Sequence, residues 1–108
     1  YDKALEKLKS FDASDKMISP TIIGLIGDCY VNMDNAKEGV AYFEKAANAA
    51  DNEIISPIYL KKAGFAYESM QQYNDAVKVY TLIKEKYFNS MEAADIDKYI
   101  TRATALAK

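Results

Sequence analysis

Apolar residues recur along this chain at intervals of three and four, with charged and polar residues between them, and no stretch alternates with the two-residue period of a strand. The spacing predicts a helix over 1–11, with Ala4, Leu5, Leu8 and Phe11 on one side and Asp2, Lys3, Glu6, Lys7 and Lys9 on the other. Asp12–Ser19 reads as a loop. Ser19-Pro20 suits a helix start, because Ser can accept from the free N–H groups of the first turn and Pro gives up an N–H that had no partner. That helix turns Ile23, Ile26, Gly27 and Tyr30 inward, and Met33-Asp34-Asn35 reverses the chain. The next runs from about Lys37 to Ala50, with Val40, Phe43, Ala46 and Ala47 inward. After the loop Asp51–Glu53, Ser56-Pro57 opens a helix by the same device, ending near Met70, with Leu60, Ala63, Gly64 and Tyr67 on its stripe. Gln71–Asn74 leads into a helix from near Asp75 to about Tyr87, with Ala76, Tyr80 and Ile83 inward. Asn89-Ser90 is expected to cap a last helix over 91–107, whose stripe is Ile96, Tyr99, Ile100, Ala103 and Leu106 or Ala107. Its acids (Glu92, Asp95, Asp97) lie toward the start and Arg102 and Lys108 toward the end, the favourable sense for the helix dipole.

The pattern repeats itself. Shifted by 37 residues, Gly27 falls on Gly64, Tyr30 on Tyr67, Gly39 on Ala76, Phe43 on Tyr80, and Ser19-Pro20 on Ser56-Pro57. Two antiparallel helices approach closely only where a small residue sits, so Gly and Ala mark the crossing and the aromatics fill the wedges beside it. Closer packing is the return for Gly24, Gly27 and Gly39, each of which costs a helix interior about 1 kcal/mol relative to Ala. A single hairpin leaves apolar surface bare, so neighbours must stack.

Gly27…Tyr30…Gly39…Phe43 and Gly64…Tyr67…Ala76…Tyr80 resemble the tetratricopeptide repeat, a helix–turn–helix unit. The period here is 37 against about 34 in the family. Gly39 stands where Ala is usual, and the family's Pro after the second helix is absent. The resemblance implies an all-α fold of tetratricopeptide-type helix-turn-helix repeats forming a short right-handed solenoid. It divides one domain, 1–108, into the second helix of a truncated repeat plus loop (1–18), two repeats (19–55 and 56–89) and a C-terminal capping helix (90–108). Ser56-Pro57-Ile58, Glu85-Lys86-Tyr87 and Ile96–Ile100 also resemble the C-terminal half of bacterial repeat proteins held to a membrane by one N-terminal helix. The start at Tyr1 rather than Met fits a piece of such a longer chain. That likeness implies the periplasmic or cell-envelope side of a membrane, with the cytoplasm as the alternative.

In the family, first helices line a groove that takes peptides. Carried over, the groove positions are Thr21, Gly24, Asp28, Val31 and Asn32, then Ile58, Lys61, Phe65, Glu68 and Ser69, then Ala94, Asp97, Thr101 and Ala105. Phe65 lies off its helix's buried stripe, so it either anchors a ligand or packs against Tyr30, Tyr99 or another neighbouring helix, and the packing role is favoured. Some members hold a peptide carboxylate with Lys and Asn; the equivalent places here are Gly24, Asp28, Lys61 and Phe65, so no such clamp is expected. The function implied is non-catalytic protein binding in this groove, the partner being a protein or peptide. The alternative is a structural segment of a longer array or homo-oligomer whose groove is self-occupied. Ala4, Leu5 and Leu8, left without a covering helix, are expected to join a homodimer.

Composition narrows the chemistry. Half of the 108 residues are hydrophobic, enough for a core. Net charge is −2 with the signs interspersed, which argues against nucleic acid, and nine Tyr without a basic groove do not make a base-stacking platform. The longest apolar stretch, Ile22–Gly27, falls far short of the ~18 residues that cross a membrane, so no direct membrane contact by this stretch of chain is expected. The lone Cys29 borders the buried stripe and reads as an inert thiol. Glu92, Asp95 and Asp97 read as a solvated helix start rather than a cation loop. Lys61, Lys62, Lys78, Lys84 and Lys86 read as a soluble face. With no His and no nucleophile beside a base, neither catalysis nor a cofactor is expected.

Overall fold

The computed structural model describes residues 1–14 and 19–108, and side chains outside 11–18. Among the described residues there are six α-helices and one short 3₁₀ turn: α1 (Asp2–Ser14), α2 (Pro20–Asn32), α3 (Ala36–Ala50), α4 (Ser56–Ser69), α5 (Tyr73–Lys86), the 3₁₀ turn Glu92–Asp95, and α6 (Ile96–Leu106). Each helix packs on the next in chain order, giving a slab of 41 × 28 × 16 Å.

The two hairpins α2–α3 and α4–α5 turn in the same way, bond for bond, 37 residues apart. Met33 N–H reaches the carbonyls of Cys29 and Tyr30, Asp34 N–H that of Val31, and Asn35 N–H that of Tyr30. Met70, Gln71 and Gln72 repeat these bonds to Ala66, Tyr67 and Glu68, with Gln72 returning to Tyr67. Asp34 (φ 59°) and Gln71 (φ 60°) each take the left-handed conformation that lets the last carbonyls of the helix be satisfied.

Small residues set the crossings. A methyl added at Gly27 would lie 2.7 Å from the Phe43 ring and 3.1 Å from the Gly39 carbonyl, so α2 and α3 meet at two glycines. In the second hairpin a methyl at Gly64 would lie 2.1 Å from the Tyr80 ring, which is fully buried. The core continues through Ile23, Ala46, Tyr59, Leu60, Ala63, Ile83 and Ile96, so it runs along the stack rather than being closed within each hairpin.

Four local expectations are corrected. First, α1 runs on to Ser14, into the stretch read as loop; residues 15–18 of that loop, and the inward placing of Phe11, lie outside what is described. Ala4 is exposed and Leu5 and Leu8 are half-buried against α2. Second, Ser19 does cap α2, accepting from Thr21 N–H at 3.2 Å, but Ser56 does not cap α4. It is wholly buried; its hydroxyl donates to the Ala47 carbonyl at 2.8 Å and accepts from Asn52 N–H at 3.0 Å, tying α4 to the end of α3. Third, the last helix is broken. Ser90 Oγ accepts from Ala93 N–H at 3.2 Å, but this starts only the 3₁₀ turn, and α6 begins at Ile96. Fourth, Leu106 and Ala107, one of which is expected on the inward stripe, are both exposed.

Candidate functional site

The face built by α2 and α4 carries a depression of about 250 Å³. Asp28 and Val31 of α2 stand on one side, and Lys62, Phe65, Ala66 and Ser69 of α4 on the other, with Phe43 reaching in from α3. Three- and four-residue steps along α4 put Lys62, Phe65, Ala66 and Ser69 on one side of that helix. The Lys62 ammonium meets both Asp28 carboxylate oxygens, at 2.8 and 3.1 Å, and lies 5.9 Å from the Phe43 ring centre. Both partners are partly exposed, so the pair sits at the rim and orders it without being sealed. Beneath it, burial raises the Tyr59 hydroxyl above its ordinary value, with the Asp28 charge adding to the effect.

Toward α6 the face is bound up by its own side chains. Arg102 meets the Glu68 carboxylate with two N–H groups, at 3.1 and 2.7 Å. The Tyr80 hydroxyl donates to the same carboxylate. Burial first, and this hydrogen bond second, push the Tyr80 hydroxyl well above the usual tyrosine range. Lys61 pairs with Asp95 at 3.4 Å and stands 4.7 Å from the centre of the Tyr99 ring, with the Arg102 guanidinium 5.0 Å from that same centre.

The groove positions expected from the sequence divide into three groups. Asp28, Val31, Phe65 and Ser69 come together around the depression. Lys61 and Glu68 are engaged by the 3₁₀ turn and α6. The others lie apart. Asn32 donates to the Asp28 carbonyl and borders a separate depression against α1. Ile58 sits at the loop end of α4. Asp97 pairs with Lys84 of α5 at 2.8 Å. Thr21 and Thr101 are exposed on α2 and α6, and Gly24 is buried beneath the Tyr59 ring. Phe65 takes the favoured packing role: it packs edge-on to Tyr80 and Tyr99, with ring centres 6.3 and 5.4 Å apart, and stays 42% exposed. Lys62, Ala66 and Phe43 line the depression from outside the expected groove positions. Lys61 and Lys62 stand four and three residues before Phe65, so helical spacing does not choose between them, whereas Phe43 comes from a second helix and enters only because glycines bring α2 and α3 together.

Cys29 is buried. Among the described residues no group of three or more His, Cys, Asp or Glu could hold a metal ion, and no helix is long and apolar enough to cross a membrane.

Residues 20–53, which span α2, α3 and the start of the following loop, match the tetratricopeptide repeat family. The chain thus carries a repeat of that type, in an all-α stack of sequentially packed helices, and the family implies a protein-interaction module. No curated protein and no solved structure matches the chain.

Proposed function

We propose that the chain binds a peptide segment or partner domain, without catalysis, on the face between α2 and α4. The observation that carries this reading is the depression between Val31 and Phe65: its floor is apolar, its rim holds the Asp28–Lys62 pair, and Phe65 is only partly used by its neighbours. A half-exposed aromatic beside an apolar floor suits the anchoring of a partner side chain. Residues 56–89 are read as a second unit and 90–108 as a cap, supported by the common hydrogen bonding of the two turns.

A structural role is the second reading. Tyr1, Ala4, Leu8, Leu25 and Cys29 surround an almost wholly apolar depression of about 450 Å³ between α1 and α2, where another helix or a second copy could pack. A photo-crosslinking residue in place of Phe65, activated in the native cell, separates the two. The binding reading expects an adduct to a different protein, lost when Val31→Glu is added. Adducts only between copies of the chain would overturn it in favour of the structural reading.

A further inference from the structure

A second apolar surface lies at the loop end of the stack, where the turn before α4 and the turn before the 3₁₀ segment come side by side. Ile54, Ile58 and Met91 line a depression there of about 260 Å³, with Glu53 and Glu92 beside them. Ile54 is 76% exposed and Met91 88%. Their outward position is built rather than incidental. Asn52 Oδ1 accepts from the N–H groups of Ile54 and Ile55 at 2.9 and 2.7 Å, while Asn52 N–H donates to the buried Ser56 hydroxyl. On the opposite wall the buried Ser90 accepts from Ala93 N–H and donates its own N–H to the Tyr87 carbonyl at 3.0 Å. Both walls are therefore fixed to the core while their apolar side chains are held in water.

The charges beside the depression are also unspent. Asp28, Asp51, Glu68, Asp95 and Asp97 each meet a lysine or arginine. Glu53 and Glu92 meet none among the described residues. Two free carboxylates flanking a rigid apolar pit are complementary to an apolar side chain with a cation next to it. They oppose an anionic lipid surface, which would repel them.

We propose that this pit docks an amphipathic segment of a partner protein, seating an apolar side chain between Ile54, Ile58 and Met91 and a neighbouring lysine or arginine against Glu53 and Glu92. The site is independent of the α2–α4 face. The test is a methyl-resolved NMR titration of the chain with a synthetic leucine–lysine amphipathic helix, beside its leucine–glutamate counterpart and phosphatidylcholine vesicles. The expected result is saturable shifts at the Ile54, Ile58 and Met91 methyls with the lysine peptide. Affinity should fall about tenfold or more in Met91→Glu, the loss expected of an anchor contact. It should fall severalfold, with a flatter salt dependence, in Glu53→Gln/Glu92→Gln, and stay unchanged in Phe65→Ala. The positions are exposed, so the fold should persist, and the backbone spectrum of each variant checks it. The proposal is overturned if the glutamate peptide binds equally well, if the shifts fall around Phe65 and Val31 instead, if only vesicles shift the methyls, or if nothing binds.

Discussion

Arg102 of α6 and Glu68 of α4 are joined by two parallel hydrogen bonds across the face that α4 and α6 share, 34 residues apart in the chain. The Glu68 side chain is only 13% exposed, and it also accepts from the buried Tyr80. Arg102→Ala would leave a largely desolvated carboxylate with one donor. A hydrogen bond to a charged group contributes about 1.5–3 kcal/mol. Arg102 itself is half-exposed, and solvent screening lowers that to about 1–2 kcal/mol. The urea midpoint should fall accordingly with an unchanged slope, and the Glu68→Gln/Arg102→Ala double variant should lose less than the two singles combined. Strict additivity would mean that the pair holds nothing together.

Ser56→Ala should be more damaging than Ser19→Ala, although the two serines occupy matching places in the sequence repeat. Ser19 serves one exposed N–H of its own helix, and losing such a cap costs about 1 kcal/mol. Ser56 satisfies the Ala47 carbonyl and the Asn52 N–H from a wholly buried position, and leaving such groups unpaired costs about 1–3 kcal/mol each. Thermal melts of the two variants give the order directly; equal losses would mean that water replaces the Ser56 hydroxyl.

This pair of serines also marks how far the sequence could be read. Helical spacing and the 37-residue shift located the six α-helices among the described residues, though not the 3₁₀ turn before α6, and the small residues at the crossings, because both follow from one-dimensional periodicity. What Ser56 does depends on the distance between the ends of α3 and α4, which no spacing encodes. The same holds at the candidate site. Phe65 stands out by lying off its stripe, and Tyr99 is among the neighbours expected for it, but that Tyr80 also packs on it and that Phe43 lines the same depression depends on how other helices sit. Lys62 was displaced by Lys61 because neighbouring lysines on one helix differ only by a turn of about 100°, and the tie-breaking partner, Asp28, lies 34 residues away.

Gly64→Ala should destabilise the chain despite the better helix propensity of Ala. The added methyl would fall 2.1 Å from the Tyr80 ring, which has no room to retreat because it is fully buried and tied to Glu68. Overpacking of this kind costs about 1–3 kcal/mol or more, against a propensity gain of about 1 kcal/mol. In a Tyr80→Leu background the same change should cost much less, since the two nearest ring atoms are gone. A stabilised Gly64→Ala in the parent chain, read from its urea midpoint, would show that the ring can move aside.

Alkali should weaken the fold from about the ordinary tyrosine value of 10.0 upward, because of two particular hydroxyls. Tyr67 and Tyr80 are both held protonated well above that value, first by burial and then by donating to Glu44 and Glu68. The folded chain thus keeps two protons that the unfolded chain releases. Their stabilisation is fully present below the unfolded value and declines as pH rises through the folded ones. Their contribution to the urea midpoint should therefore be level just on the acid side of 10.0 and drop above it. Tyr80→Phe should start from a lower midpoint, having lost its hydrogen bond, but decline less steeply. Tyrosinate absorbance supplies the matching readout: Tyr67 and Tyr80 should ionise only as the helical signal is lost. If all nine ionise while the helices persist, or if Tyr80→Phe declines as steeply as the parent, these hydroxyls are not what limits the alkaline range.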